Sequence, residues 1–232
     1  MIDAYVTNLG KYVEGKLCGE YLKLPATRED VQALLSRIEV DGVRYEEIFI
    51  ADYETNIQGL SSLLGEYENI EELNYLAALI SGLSDWDIEK FEGAITYGEL
   101  TTSVKDLINL VQNLDSFEYL HGVENTDDLG RYHADLMSIP NHLNPYIDFD
   151  AVGRDISLEQ GGVFTCRGYI CNAGELRELY TSIKDIPTEH RIMSAATERK
   201  PLKERVARAK EESFKRDTTR TVKVQEPRGI ER

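Results

Sequence analysis

The sequence predicts an α+β fold: an elongated chain of three small units, antiparallel sheet plus helix, then helices alone, then antiparallel sheet plus helices, ending in a basic tail. Three observations lead there. Short apolar runs of strand character occur near both ends of residues 1–174, and the 45 residues between them carry only a helical period. No apolar run approaches the roughly 20 residues of a membrane span. The charge also divides: residues 1–190 hold 35 acids and 13 bases, residues 191–232 hold 7 acids and 13 bases. The boundaries that follow are residues 1–57, 58–102, 103–174 and 175–232.

In the first unit, Ile2 to Val6 alternates and ends at the turn signal Asn8-Leu9-Gly10, and Leu17 to Leu24 is a second strand closed by Pro25. Thr27 caps a helix with Val31, Leu34, Leu35 and Ile38 on one face. After the Asp41-Gly42 turn, Val43 to Ala51 is a third strand. One helix over an antiparallel sheet is the economical packing for such a unit.

In the second unit, Asn69 followed by Glu72 has the spacing of a capping box. Ile70, Leu73, Leu76, Ala77, Ile80 and Leu83 then form an apolar stripe, which puts Glu71 on the opposite face. Ser84 with Asp87 opens another helix, directing Ile88, Phe91 and Ile95 inward and Asp85, Glu89 and Glu92 outward as one ladder. The third unit reads as a helix through Val104, Leu107, Val111 and Leu114, a strand from Phe117 to His121, a helix from Asp127 to Met137 and a β-rich segment from Gly162 to Ile170. Tyr146 to Ser157 reads as loop or short helix. Glu175 to Ile183 carries a weak helical pattern, and the last forty residues read as a mobile basic tail.

Catalytic motifs are scarce. Asp3 with Glu14-Gly15-Lys16 has the residue types of a metal-dependent nuclease, but the Glu and Lys fall in a turn, and an acidic surface repels DNA. His121, His133, His142 and His190 lack metal spacing, and Cys18, Cys166 and Cys171 form no zinc pair and suit a reducing compartment. Gly161-Gly162 and Gly168 lack a phosphate-loop lysine, and no serine elbow occurs. The chain is read as a non-enzyme, without cofactor or metal, in the cytoplasm.

What stands out is the acidic window. Residues 45–130 hold 19 acids, Glu46, Glu47, Asp52, Glu54, Glu66, Glu68, Glu71, Glu72, Asp85, Asp87, Glu89, Glu92, Glu99, Asp106, Asp115, Glu118, Glu124, Asp127 and Asp128, against Lys90 and Lys105 alone. Duplex DNA carries about one charge per 1.7 Å of axis, so the surplus of 17 matches roughly 29 Å of duplex. Such a body repels nucleic acid and membranes, and is drawn to a basic groove of the kind that DNA fills.

The segments Ile2-Asp3-Ala4-Tyr5-Val6-Thr7-Asn8-Leu9-Gly10-Lys11-Tyr12, Glu47-Ile48-Phe49-Ile50-Ala51-Asp52-Tyr53-Glu54, Glu68-Asn69-Ile70-Glu71-Glu72-Leu73-Asn74 and Tyr146-Ile147-Asp148-Phe149-Asp150-Ala151-Val152-Gly153-Arg154-Asp155 resemble the ArdA family of antirestriction proteins. The resemblance extends over about residues 1–173. It implies three small domains in a curved rod, a homodimer formed through the third domain, and the nineteen carboxylates as imitators of phosphates along bent B-form DNA. It also implies a target, the methyltransferase core of type I restriction-modification enzymes in a bacterial host, with mobile genetic elements as carriers. By the same resemblance Leu64 to Leu76 is the antirestriction motif, and the chain beyond Gly174 departs from the family pattern. The alternative reading is an acidic interaction protein that regulates another basic DNA-binding partner.

Overall fold

The first strand, β1 (Ile2–Asn8), is the middle of a three-stranded antiparallel sheet in a computed structural model that describes residues 1–193. The expected basic tail beyond residue 193 lies outside the described residues. On either side of β1 run β2 (Gly19–Leu24) and β3 (Ile48–Thr55), in the order β2-β1-β3. Alternation buries Ile2, Ala4 and Val6 with Leu22 and Leu24, and α2 (Arg28–Arg37) adds Val31 and Leu34. Thr27 and Asp30 complete the capping box that starts α2.

Two local expectations shift. The Asn8-Leu9-Gly10 turn opens a five-residue helix, α1 (Leu9–Val13), because the Asn8 side chain accepts the Lys11 N–H. The third strand begins at Ile48 rather than Val43. Asp41 Oδ1 accepts the N–H groups of Val43, Arg44 and Tyr45 at 2.9 to 3.0 Å, which turns this stretch into a closed loop, and pairing of Ile2 with Thr55 carries the strand further on.

Three capped helices follow: α3 (Ile70–Ser81), α4 (Asp85–Tyr97) and α5 (Val104–Gln112), started by Asn69, Ser84 and Ser103. Gly98 ends α4 in the left-handed region at φ 93°, a conformation that glycine adopts at little cost. The helix α3 packs against β2 and α5, which buries residues around most of its circumference.

The second sheet, ordered β4-β6-β5, comprises β4 (Phe117–His121), β5 (Val163–Phe164) and β6 (Gly168–Asn172), again antiparallel. Between β4 and β5 lie α6 (Thr126–Leu136) and α7 (Phe149–Gln160). The stretch expected to be loop or short helix is therefore mostly a twelve-residue helix. Asp148 caps it, and Gly153 meets Gly130 of α6 so closely that a Cβ on Gly153 would stand 1.8 Å from the Thr126 carbonyl oxygen. Backbone packing at that crossing stabilises a helix whose own pattern is weak. Val123, Leu129, Tyr169 and Cys171 form the core between this helix pair and the sheet.

The expected helix over Glu175–Ile183 does not form. The chain instead runs without regular structure to Ser182, with short 3₁₀ turns at Ile183–Asp185 and Thr188–His190, because Asn109 of α5 and Asn113 just beyond its end take its backbone hydrogen bonds. Tyr180, Ile186 and Ile192 are buried, and Met1–Ile192 packs as one unit. Among the described residues the fold is thus α+β, with seven helices and two small antiparallel sheets, and no helix is long and apolar enough to cross a membrane.

Candidate interaction surface

The nineteen carboxylates of residues 45–130 differ sharply in their surroundings. Eight are exposed and take no hydrogen bond or ion pair from a side chain or backbone group among the described residues: Glu46, Glu47, Glu66, Asp85, Glu99, Asp115, Glu118 and Glu124. They come from loops, helix ends and the outward position of β4, where neither sheet nor helix packing demands an apolar residue.

Others are exposed or half-buried but tied to local structure. Asp52 and Glu54, two places apart on β3, both accept from the Tyr21 hydroxyl, at 3.2 and 2.9 Å; chiefly through the Glu54 hydrogen bond, the Tyr21 pKa is pushed up to about 12. Glu68 accepts the Gly65 N–H at 3.1 Å, and Asp87 accepts the Ser84 hydroxyl at 2.7 Å. Asp106 accepts from the Thr102 hydroxyl. Asp127 pairs with Arg131 one turn on, and Asp128 takes the Asn125 side-chain amide at 2.7 Å.

The expected outward ladder on α4 is corrected by the structure. Asp85 is exposed, but Glu89 is half-buried and Glu92 is 8% exposed. Glu92 Oε1 accepts the Gln58 N–H at 2.9 Å and Oε2 accepts from Arg167 Nη1 at 3.1 Å. Glu89 lies 3.7 Å from the same guanidinium nitrogen and 2.9 Å from His121 Nδ1. The reason is that α4 is covered on more than one side. Gly93 leaves room for Ile170 and Tyr119, the helix settles against β4 and β6, and the β5–β6 turn brings Arg167 over Glu92.

The segment Leu64 to Leu76, singled out by the resemblance, is held at its start and along the first turn of α3. The Ile50 N–H donates to the Glu66 carbonyl at 2.8 Å, and the Tyr53 hydroxyl donates to the Gly65 carbonyl at 2.8 Å, its pKa raised by burial and then by Glu68. Asn69 accepts the N–H groups of Glu71 and Glu72. Both acids stand in the first turn of α3, where the helix dipole favours negative charge. Contrary to the helical-wheel reading, Glu71 faces protein, being 7% exposed and engaged there. Glu72 Oε1 accepts the Tyr180 hydroxyl at 2.8 Å rather than closing the capping box with Asn69. Desolvation, and after it that hydrogen bond, push the Tyr180 pKa up.

Sequence reasoning missed Arg167, Glu178 and Tyr180. Their partners are distant in the chain, 75 residues for Arg167 with Glu92 and 108 for Tyr180 with Glu72, so no local spacing announces them. Lys105, one of the window's two bases, is held by Glu178 at 2.5 Å, which raises its pKa. Of the residues weighed as a nuclease, Glu14 has a plain structural role. Glu14 accepts from the Tyr45 hydroxyl at 3.0 Å and from Arg44 at 2.9 Å, and the first of these contributes most to lowering its pKa.

Comparison with known proteins gives one result for the whole arrangement. The family model described as antirestriction protein (ArdA) matches residues 4–171, which takes in nearly all of both sheets and all nineteen carboxylates. A search of curated proteins returns no match.

Proposed function

Because the chain belongs to the ArdA family of antirestriction proteins, we propose that it acts as a mimic of B-form DNA that occupies the DNA-binding site of type I restriction-modification enzymes. The observation that carries this reading is the set of eight exposed, unpartnered carboxylates in a window whose bases are Lys90 and Lys105. Lysine and arginine side chains that bind phosphates in the enzyme pair instead with these groups, so complex formation weakens steeply with salt. No bond is made or broken in this action. Asp52, Glu54, Glu68, Asp87, Asp106, Asp127 and Asp128 add charge to the same surface, while Glu89 and Glu72 are half-buried and engaged by His121, Arg167 and Tyr180. Glu71 and Glu92 shape the surface from beneath.

The mimic works as a homodimer built through residues 103–174. In support, the α6–α7 pair and the turn between them leave Leu136, Met137, Leu143, Tyr146 and Leu158 exposed, and exposed large apolar side chains favour association.

The test is competition. Purified type I methyltransferase core is titrated with the protein, and cognate duplex is then added across a range of salt concentrations. The reading expects a stoichiometric complex that duplex displaces, with the logarithm of its affinity falling linearly in log salt. Binding unaffected by duplex and by salt overturns it.

A further inference from the structure

Beyond residue 171, where the family match ends, the chain still belongs to the folded body. Residues 175–190 cross α5 and α3 as a strap, and buried asparagines fasten it. Asn109 Oδ1 accepts the N–H groups of Leu179 and Tyr180 at 2.7 and 2.8 Å, and Asn109 Nδ2 donates to the Tyr180 carbonyl at 2.8 Å. Asn113 repeats the device on Arg177, accepting its N–H at 2.9 Å and donating to its carbonyl at 2.8 Å. Asn74 donates to the His190 carbonyl at 3.2 Å. Asn74, Asn109 and Asn113 are each at most 4% exposed under the strap, whose backbone meets part of their hydrogen-bonding capacity in place of water. The ring of Tyr180 is 1% exposed and packs 5.9 Å from that of Tyr75.

So fastened, the strap sets Glu178 against Lys105 on α5 at 2.5 Å. Lys105 lies between carboxylates, with Asp106 beside it in the chain and both Asp106 and Glu72 acting on its charge. Left alone, it would present an ammonium to the basic groove of a partner.

We propose that residues 175–190 form a masking strap whose Glu178 cancels the Lys105 charge and so removes one of the two cations of the acidic window that a basic, DNA-binding partner would meet. This rests on the reading of the surface as a DNA mimic. The strap itself carries four acids, Glu175, Glu178, Asp185 and Glu189, against Arg177 and Lys184, and so extends the acidic character of the body. Its action on binding is asymmetric. Removing the acid of the pair exposes a repelling cation, and removing the base does not.

The experiment uses the full chain with Glu178→Gln, Lys105→Met and the double variant, each checked by thermal melting and titrated against the methyltransferase core. Glu178→Gln is expected to weaken binding roughly two- to five-fold, the range of one exposed charge pair. Lys105→Met is expected to bind at least as tightly as the parent, and the double variant to return to the parent affinity. Equal losses in both single variants would mark the pair as merely structural and overturn the strap proposal, as would no change in either. A parent complex that cognate duplex fails to displace overturns instead the mimic reading on which the strap depends, and the two failures are told apart by the parent protein alone.

Discussion

Removing the Glu92 carboxylate should unfold the protein far more readily than removing Asp85, seven residues earlier on the same helix. Glu92 is 8% exposed and accepts two hydrogen bonds, from the Gln58 N–H at 2.9 Å and from the Arg167 guanidinium at 3.1 Å. A hydrogen bond to a charged group contributes about 1.5–3 kcal/mol. Arg167 has a side chain 49% exposed and can turn to water when its partner is lost, which keeps the cost near the lower bound for that bond. Glu92→Ala is therefore expected to cost about 3 kcal/mol, or roughly 6–12 °C of melting temperature for a body of this size. Glu92→Gln preserves the packing and an acceptor for Gln58 and should cost about 1 kcal/mol. Asp85→Asn, at an exposed position without a partner, should stay within about 0.5 kcal/mol. Circular dichroism melts, with urea titration to confirm the ranking, measure all three. If Glu92→Ala melted within a degree of the parent, the claim that α4 turns this carboxylate inward would fail.

Four further outcomes are expected. Gly153→Ala should destabilise by about 3 kcal/mol, since its Cβ would lie 1.8 Å from the Thr126 carbonyl and two backbones would have to part; a melting curve settles it. Asn109→Ala strips two N–H donors and one carbonyl of the strap of their partner, and hydrogen exchange should speed up at Leu179 and Tyr180 while β1 amides keep their protection. Asp30, Asp41, Asp150 and Asp185 have carboxyl pKa values held below the ordinary 3.8: by the Thr27 hydroxyl, by the N–H groups of Tyr45, Val43 and Arg44, by the Thr126 hydroxyl and then Arg154, and by the Thr181 hydroxyl, respectively. Because these values are depressed on folding, their stabilisation is present above 3.8 and lost as pH falls through the folded values. Asp185→Asn should therefore melt below the parent at neutral pH, with the gap closing as pH falls below 3.8 and through the depressed folded value. Finally, changing Glu66, Asp85, Glu99 and Glu118 together to their amides should weaken binding to the methyltransferase core and flatten its salt dependence without moving the melting temperature; unchanged inhibition would remove these groups from the contact surface.

Much of the architecture is legible in local patterns. The caps at Thr27, Asn69 and Ser84 mark helix starts because a side-chain oxygen must reach an N–H only two or three residues away. The strands at Ile2 and Phe117 follow from alternation and flanking turns. The helix α7 is not legible, since its support comes from Gly130, over twenty residues earlier, and residues 43–47 read as strand but form a loop because Asp41 takes the backbone donors that a strand would need. For the candidate surface, the excess of carboxylates could be counted directly. Their division into free and engaged groups could not.

That division separates the two levels of information. Composition and order determine the acidic window, the helix starts and the likeness to ArdA, because charge counts and capping depend on residues that are neighbours in the chain. Only the packed structure decides that Glu71 and Glu92 turn inward, that Arg167 reaches α4, and that Glu178 lies on Lys105. The physical reason is distance along the chain: a carboxylate's surroundings are set by whatever folds against it, and here those groups arrive from about 75 to 110 residues away.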